Sequence, residues 1–184
     1  MQQETRLSNG TIILRPYTLN HVNELFKAVR ESVKELTPWM PWCHEGYSIE
    51  ESRKYVEEHV EGSQAGLSYD FAIMDAKNGL YLGGCGVNHI NLSDNYANLG
   101  YWVRSTQTGK GIATSAASLL ANFGIQTIKL NRIEIVVAVG NKASQRVAAK
   151  VGAIREGVLR NRLVLHGGIH DAVMFSIIPR DIIK

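Results

Sequence analysis

Apolar positions recur along the chain with two periods, and the periods divide it into strands and helices. An apolar run at 11–15 closes at Pro16 and predicts a first strand, because proline cannot donate a hydrogen bond to a sheet ladder. Apolar residues then return at helical spacing, which predicts an amphipathic helix over 18–33. A capping-box pattern in the first four residues of 48–62 predicts a second helix there.

The middle of the chain changes to strand-like runs at 69–75, 80–90 and 96–103. Asn78-Gly79 separates the first two runs, and Asn-Gly between apolar runs is a strong hairpin signal. Three glycines at 83, 84 and 86 predict a bulge or the close approach of another backbone. The pattern therefore predicts an antiparallel meander.

After the meander, helix and strand alternate. A helical stripe over 111–128 precedes a β-prone run at 132–139, and strand, helix, strand predicts a right-handed crossover between parallel strands. A short helix capped by Asn141 follows, and two runs at 153–165 and 169–178 predict a final hairpin.

Composition narrows the class of protein. The chain of 184 residues is 45% hydrophobic and 20% charged, which predicts one globular domain over 1–184. Its net charge of +3 comes from scattered residues, so we expect no direct nucleic-acid partner. Cys43 and Cys85 lack metal-ligand spacing, so we expect no metal. With no apolar leader or span, we expect a cytoplasmic protein with no membrane partner, and a homo-oligomer stays open.

The loop 109–114, between a predicted strand and a predicted helix, has the pattern of a phosphate site. Backbone N–H groups and the positive end of a helix dipole would face the ligand there. A P-loop is excluded, because Gly111 stands where the hydroxyl residue after Lys110 should be. A dinucleotide site lacks its third glycine at Thr114, although Glu134 lies at a suitable distance for a ribose contact. That reading and a tight turn without a ligand both stay open on these residues.

Several short motifs occur together in a fixed order. They are Gly100-Tyr101-Trp102, the loop 109–114, Asn141 with Ser144, Lys150 with Gly152, and Glu156-Gly157. The likeness extends to Leu14-Arg15-Pro16, Trp39 with Trp42, and Gly168 with Asp171. With these motifs the chain resembles the GCN5-related N-acetyltransferase (GNAT) superfamily, and within it the branch of bacterial ribosomal-protein N-terminal acetyltransferases.

The resemblance implies an α/β fold with a mixed, mostly antiparallel sheet of about seven strands flanked by about four helices. The sheet would splay between its fourth and fifth strands, after Val103 and near Arg132, with acetyl-CoA in the gap. The implied cofactor-binding residues are Trp102, Val103, Thr108, Gly109, Lys110, Gly111, Ile112, Ala113, Thr114, Asn141 and Ser144.

The resemblance also implies transfer of an acetyl group to a primary amine by direct attack in a ternary complex. A free α-amino group has a pKa near ~7.7–8.0, so part of it is already uncharged at neutral pH, whereas lysine is near ~10.4. This favours the N-terminus of a protein or peptide as acceptor. A small-molecule amine, or an acyl-CoA-binding module without catalysis, is the alternative.

For catalysis, the resemblance implies that Ser144 is the general acid that protonates the thiolate. The two positions where relatives carry a basic carboxylate are Asn98 and Leu163 here. Glu134 is then our first candidate for the general base, acting directly or through water. His89 and the His170-Asp171 pair are further candidates.

The acceptor site is expected around the least patterned segments. We predict Trp39, Trp42, His89 and His170 as substrate-binding residues. The two tryptophans lie in a proline-rich loop between helices, where they could equally be hydrophobic plugs that hold the loop down.

Overall fold

A computed structural model describes residues 5–182, and one eight-stranded sheet runs through this part of the chain. The strands are β1 Leu7–Ser8, β2 Ile12–Pro16, β3 Tyr69–Asp75, β4 Tyr81–Asn91, β5 Tyr96–Val103, β6 Arg132–Ala138, β7 Ile154–Leu165 and β8 Gly168–Ile177. The α-helices are α1 Val22–Leu36, α2 Ile49–Gln64, α3 Ile112–Asn122, α4 Lys142–Lys150 and α5 Pro179–Ile182. Two 3₁₀ turns, Leu19–His21 and Ser105–Gln107, and a π-helical turn, Phe123–Thr127, complete the elements.

The strands lie in the order β1-β2-β3-β4-β5-β6-β8-β7. Neighbours are antiparallel except β5 and β6, which are parallel. This parallel pairing is short, because it joins only Tyr96, Ala97 and Asn98 to Arg132, Ile133 and Glu134. Beyond Asn98 the two strands have no further pairing, so the sheet splays open there and confirms the expected gap.

Apolar side chains cover both faces of the sheet. On one face, α3 and α4 bury residues such as Leu120 and Ala148 against Leu99 and Ile135. On the other face, α1 and α2 bury residues such as Leu25 and Val56 against a cluster that includes Trp102. The helices thus pack in two groups on opposite faces of the sheet.

The predicted fold class is confirmed, with three differences in detail. The sheet has eight strands rather than about seven, because the two-residue β1 pairs with β2. The helices number five rather than about four among residues 5–182, because a single turn, α5, follows β8. The predicted helix over 111–128 changes to a π-helical turn at Phe123, where Gly124 packs so closely on β6 that a Cβ would lie 2.7 Å from Ile133 Cδ1.

The glycines of β4 have the two effects that their pattern predicts. The register between β3 and β4 shifts next to Gly83, which marks a bulge. A Cβ on Gly84 would lie 2.7 Å from Trp102 Nε1, and one on Gly86 would lie 2.0 Å from Asp70 Oδ1. Larger residues would collide at both positions. The glycines of β4 thus leave space for the Trp102 and Asp70 side chains of the two neighbouring strands.

Candidate active site

Two cavities open at the splayed end of β5 and share one wall. One, of about 460 Å³, lies along the loop 107–114 and α4, and is called the loop cavity here. The other, of about 490 Å³, lies against the segment 39–42 and α2, and is called the aromatic cavity. The residues that line both cavities are Trp39, Met40, Tyr101, Trp102, Asn141 and Ser144. These six residues form the junction, where molecules from the two sides can meet.

The loop before α3 has the backbone geometry of an anion site. Gly109 and Gly111 both have φ +78°, a left-handed conformation that disfavours other residues, and a Cβ on either would meet no atom within 4 Å. Gly111 is the N-cap of α3 and makes no side-chain cap hydrogen bond. The N–H groups of the first turn can therefore bind an anion in the open space before them.

Side chains of α1 hold the segment that leads from β5 into this loop. Arg104 lies directly after β5 and pairs with Glu31, which also accepts a hydrogen bond from Thr106. Ser105 N donates to Ser32 Oγ at 2.8 Å. Hydrogen bonds from Arg104 lower the pKa of Glu31 to about 2, so the carboxylate stays ionised and the tether persists at neutral pH.

The junction is organised by the start of α4. Asn141 Oδ1 accepts a hydrogen bond from Ser144 N at 3.0 Å and so caps the helix. The Tyr101 hydroxyl lies 3.0 Å from Ser144 Oγ and donates to the Ser144 carbonyl oxygen at 3.1 Å. Burial raises the pKa of Tyr101 to about 12, so its hydroxyl is protonated at neutral pH. Two hydroxyl groups thus face the place where the cavities meet.

Aromatic rings build one wall of the aromatic cavity. Trp42 lies with its ring centroid 5.6 Å from that of Tyr55 and 5.8 Å from that of Trp102. Trp39 lines both cavities, and its ring lies 3.3 Å from where a Cβ of Gly140 would be. The two tryptophans therefore pack into the fold and line a cavity at once, so the two readings of their role are compatible.

Most of the predicted cofactor-binding residues line the loop cavity. Lys110 is the exception among them, and its Nζ donates instead to Gln107 Oε1 at 2.8 Å. Two cations on α4 that sequence reasoning did not assign to the cofactor, Arg146 and Lys150, also line this cavity. Their helical spacing of four residues was the available signal, and positive charge there suits a phosphate-bearing ligand.

Glu134 lies outside the lining of both cavities. Arg132 Nε donates to its carboxylate at 2.8 Å, and the same guanidinium binds Glu156 through two hydrogen bonds of 2.7 and 2.6 Å. Those bonds, with one from Ser176, lower the pKa of Glu156 to about 2. Glu134 thus belongs to an ion-pair network with Arg132 and Glu156.

Of the other residues considered for the acceptor site and the base, some line the aromatic cavity and some do not. His89 and His170 are exposed and line neither cavity. The positions of the missing carboxylates do line the aromatic cavity, where Asn98 donates to Asn88 at 2.9 Å and Leu163 lies on the opposite side of the gap. Sequence reasoning missed His59, which lines this cavity from α2, because a lone histidine in a helix carries no motif.

Within residues 5–182 no helix is long and apolar enough to cross a membrane. The same part of the chain holds no group of three or more histidine, cysteine, aspartate or glutamate side chains placed to bind a metal ion.

Two bacterial curated proteins are similar to this chain. YdaF of Bacillus subtilis (strain 168) is 33% identical over 129 residues, which are 70% of this chain and 65% of YdaF, so the matched segment spans slightly less than two thirds of that relative. The ribosomal-protein-serine acetyltransferase of Escherichia coli (strain K12) is 28% identical over 173 residues, covering 94% of this chain and 96% of the relative.

Solved structures agree with these relatives. RimL, a ribosomal L7/L12 alpha-N-protein acetyltransferase solved with coenzyme A, superposes with a TM-score of 0.86 at 26% identity over 96% of this chain and 98% of that one. The Microcin C7 self immunity acetyltransferase MccE, solved with acetyl-CoA and AMP, gives the same TM-score and identity over 92% of this chain and 93% of that one. A family model described as an acetyltransferase (GNAT) domain matches residues 11–154. The chain therefore belongs to the GNAT acetyltransferase family.

Proposed function

We propose that this protein, an acetyl-CoA-dependent N-acetyltransferase, acetylates the N-terminal amino group of a protein or peptide. The observation that carries the proposal is the junction, where a cavity suited to a phosphate-bearing cofactor opens directly into a second cavity of similar size. Two bound molecules would meet there beside Tyr101 and Ser144, as direct attack on a thioester requires.

The loop cavity is the proposed site of acetyl-CoA. Its pyrophosphate would lie on the N–H groups of residues 109–114, with Arg146 and Lys150 adding positive charge. The pantetheine arm would follow the unpaired edge of β5 at Trp102 and Val103, where the two strands separate. Backbone groups on that edge would polarise the thioester carbonyl, as an oxyanion site does.

Ser144 is the proposed general acid. Its hydroxyl is fixed by the α4 cap and by Tyr101, so it can give a proton to the departing thiolate and share a hydrogen bond with the Tyr101 hydroxyl. Tyr101 can replace that proton, because a phenol with a pKa of about 12 remains protonated at neutral pH. Asn141 both caps the helix and holds the serine backbone.

The aromatic cavity is the proposed acceptor site, with Trp39 and Trp42 on its wall. Its volume of about 490 Å³ can accommodate the first residues of a peptide, and its open mouth leaves room for the rest of the chain. Support for a protein acceptor comes from the two similar proteins whose names specify ribosomal proteins. His89 and His170 lie away from this cavity, so we assign them no acceptor contact.

A small-molecule amine with a flat ring is the second candidate acceptor. The tryptophan and tyrosine rings of the aromatic cavity favour it, because aromatic faces stack well on planar groups. MccE was solved with AMP as well as acetyl-CoA, which supports considering such a ligand here.

We further propose that residues 1–184 form one catalytic domain that acts in the cytoplasm. One sheet links the described elements without an interruption, and a ribosomal-type acceptor would be met there. The proposed partners are acetyl-CoA and the amine acceptor, with no direct nucleic-acid contact.

The test is release of CoA thiol from acetyl-CoA in the presence of single acceptors. Peptides with free N-terminal serine or alanine should release thiol, whereas the same peptides with a blocked N-terminus should not. Faster release with purine- or indole-bearing small amines would favour the second acceptor. Tight acetyl-CoA binding without release by any amine would indicate a binding module instead.

A further inference from the structure

The aromatic cavity contains few groups that can accept a proton near neutral pH. Its ionisable lining residues are Tyr55, Glu58, His59, Cys85 and Tyr101. Burial raises the pKa of Tyr55, Cys85 and Tyr101, so these three groups stay protonated. Glu58 and His59 remain.

The two remaining groups differ in their surroundings. The Glu58 side chain is 61% exposed and lies 3.8 Å from Lys54 Nζ, so it belongs to the solvated surface of α2. The His59 side chain is 23% exposed and stacks on Tyr55 with the ring centroids 3.9 Å apart. Only His59 is held in one orientation by its neighbours.

The two ring nitrogens of His59 have different neighbours, and these determine which nitrogen carries the proton in the neutral ring. Nδ1 lies 2.6 Å from the Tyr55 carbonyl oxygen, which can only accept, so Nδ1 carries a proton. In the neutral ring, Nε2 then has a free lone pair. Nε2 lies 3.9 Å from Asp70 Oδ1, so a proton gained there would be placed beside a carboxylate.

Asp70 is buried, with 7% of its surface exposed, and the fold makes specific room for it. It lies opposite Gly86 in the β3–β4 ladder, and a Cβ on Gly86 would come within 2.0 Å of Asp70 Oδ1. Gly86 also lines the aromatic cavity, so the carboxylate lies directly beside a residue of the cavity wall. Burial raises the pKa of Asp70, whereas the charge of His59 lowers it. Such a carboxylate stabilises a positive charge on its neighbour.

We infer that His59, oriented by Tyr55 and supported by Asp70, is the general base that takes the proton of the acceptor amine. The inference rests on the proposed function, because it needs an amine in the aromatic cavity. Other titratable groups pack around this pair and set its background charge. They are Tyr17 after β2, Tyr55 and Glu58 on α2, and Cys85 and His89 on β4.

The proton balance of the reaction is then complete. The amine nitrogen forms a bond to the acetyl carbon, and the proton that it loses goes to His59 Nε2. The carbon–sulfur bond breaks, and the thiolate takes a proton from Ser144. Ser144 regains a proton from the Tyr101 hydroxyl, and Tyr101 regains one from solvent. His59 afterwards releases its proton to solvent at the mouth of the cavity.

The experiment compares kcat for acetyl transfer to a saturating N-terminal peptide across pH. For His59→Gly we expect a fall of about 10²-fold, in the range typical of general bases, with unchanged acetyl-CoA affinity. Added imidazole should restore part of the rate, which a structural role would not allow. His59→Gln keeps the side-chain volume if the glycine variant unfolds, and its kcat should fall similarly.

Asp70 is a positioning residue, and its readout is the pH profile. Without the carboxylate the imidazolium is less stable, so Asp70→Asn should shift the acid limb of kcat to lower pH and reduce the maximal rate. Asp94→Asn, an exposed carboxylate in the β4–β5 turn, is the matched control and should change neither.

Three results would overturn the inference. They are an unchanged kcat in His59→Gly, a variant that imidazole cannot rescue, and loss of the acid limb in Glu58→Gln instead. If the wild-type protein binds acetyl-CoA but transfers nothing, the proposed function falls together with the base. If the wild type transfers and His59→Gly transfers equally well, only the base is wrong.

Discussion

At the scale of single residues, Ser144 is the most important group for the proposed acetyl transfer. Its backbone is held by Asn141 and its hydroxyl by Tyr101, so it is placed before any ligand arrives. For Ser144→Ala we expect kcat to fall about 10²-fold while acetyl-CoA affinity changes little, because the loop amides bind the phosphates. Thiol release and calorimetry measure the two quantities. Tyr101→Phe keeps the ring and should lose less, and a larger loss there would identify the tyrosine as the proton donor.

A second residue-scale prediction concerns acid stability. The pKa of Glu31 is lowered from 4.5 to about 2, so its contribution to folding is fully present above pH 4.5 and is lost as the pH falls toward 2. The free energy of unfolding should therefore fall between these pH values, and the fall should be smaller in Glu31→Gln. Denaturant titrations at several pH values measure it. An identical pH dependence in the variant would mean that Arg104 does not hold the loop through this carboxylate.

The sequence predicted the residues of short motifs better than the contacts between distant ones. Ser144 and Asn141 stand three residues apart, so their hydrogen bond follows from helix-capping rules. The contact between Tyr101 and Ser144 joins residues that are 43 positions apart, and it depends on how α4 packs against β5. The pairing of Arg132 with Glu156 is likewise non-local, because it joins residues that are 24 positions apart.

At the scale of elements, the loop before α3 makes the sharpest prediction. Gly111→Ala places a side chain on a left-handed backbone, which costs about 1–2 kcal/mol, and adds a methyl group where the phosphate should lie. We expect acetyl-CoA to bind at least about tenfold more weakly, equal to about 1.4 kcal/mol. Calorimetric titration measures this loss.

Gly79 offers a matched control for that variant. It has φ +72° in the β3–β4 turn and also has open space around a Cβ, so Gly79→Ala carries a similar backbone cost away from both cavities. Its acetyl-CoA affinity should equal that of the wild type. Equal affinities in the two variants would show that the loop geometry at Gly111 does not bind the cofactor.

Periodicity predicted the main helices and strands, because each buries one apolar stripe or face. It did not predict β1 or α5, which are too short to show a period. It also extended α3 through Phe123, although the helix widens there where Gly124 meets Ile133. That change is caused by packing against β6, which a local pattern does not encode.

At the scale of the whole molecule, the proposed cofactor and acceptor sites meet at the splayed end of β5. Acetyl-CoA bound across the gap between β5 and β6 would join both halves of the sheet and bind only the folded protein. At a concentration of 100 times Kd, it should raise the free energy of unfolding by about 2.7 kcal/mol. Thermal unfolding with and without ligand measures the shift, and NAD should give none. A larger shift with NAD would instead favour the dinucleotide reading of the glycine loop.

The sequence predicted the gap through the short strand–helix–strand unit and through family resemblance. It did not predict that two cavities of nearly equal size meet at six residues, because Trp39, Tyr101 and Ser144 come from three distant elements. The sequence did not indicate His59 either, because its contacts also join distant parts of the chain. Its partner Asp70 lies on β3, and only the register with Gly86 places that carboxylate beside the helix.

N-terminal acetylation is tested most directly by locating the acetyl group on a peptide that offers two amines. The peptide carries a free N-terminal serine and an internal lysine, and fragment mass spectrometry identifies the modified nitrogen after incubation with acetyl-CoA. We expect one acetyl group on the α-amino nitrogen and none on the lysine side chain. Acetylation of the lysine alone, or no product from a protein that binds acetyl-CoA, would contradict the proposed N-terminal acetylation.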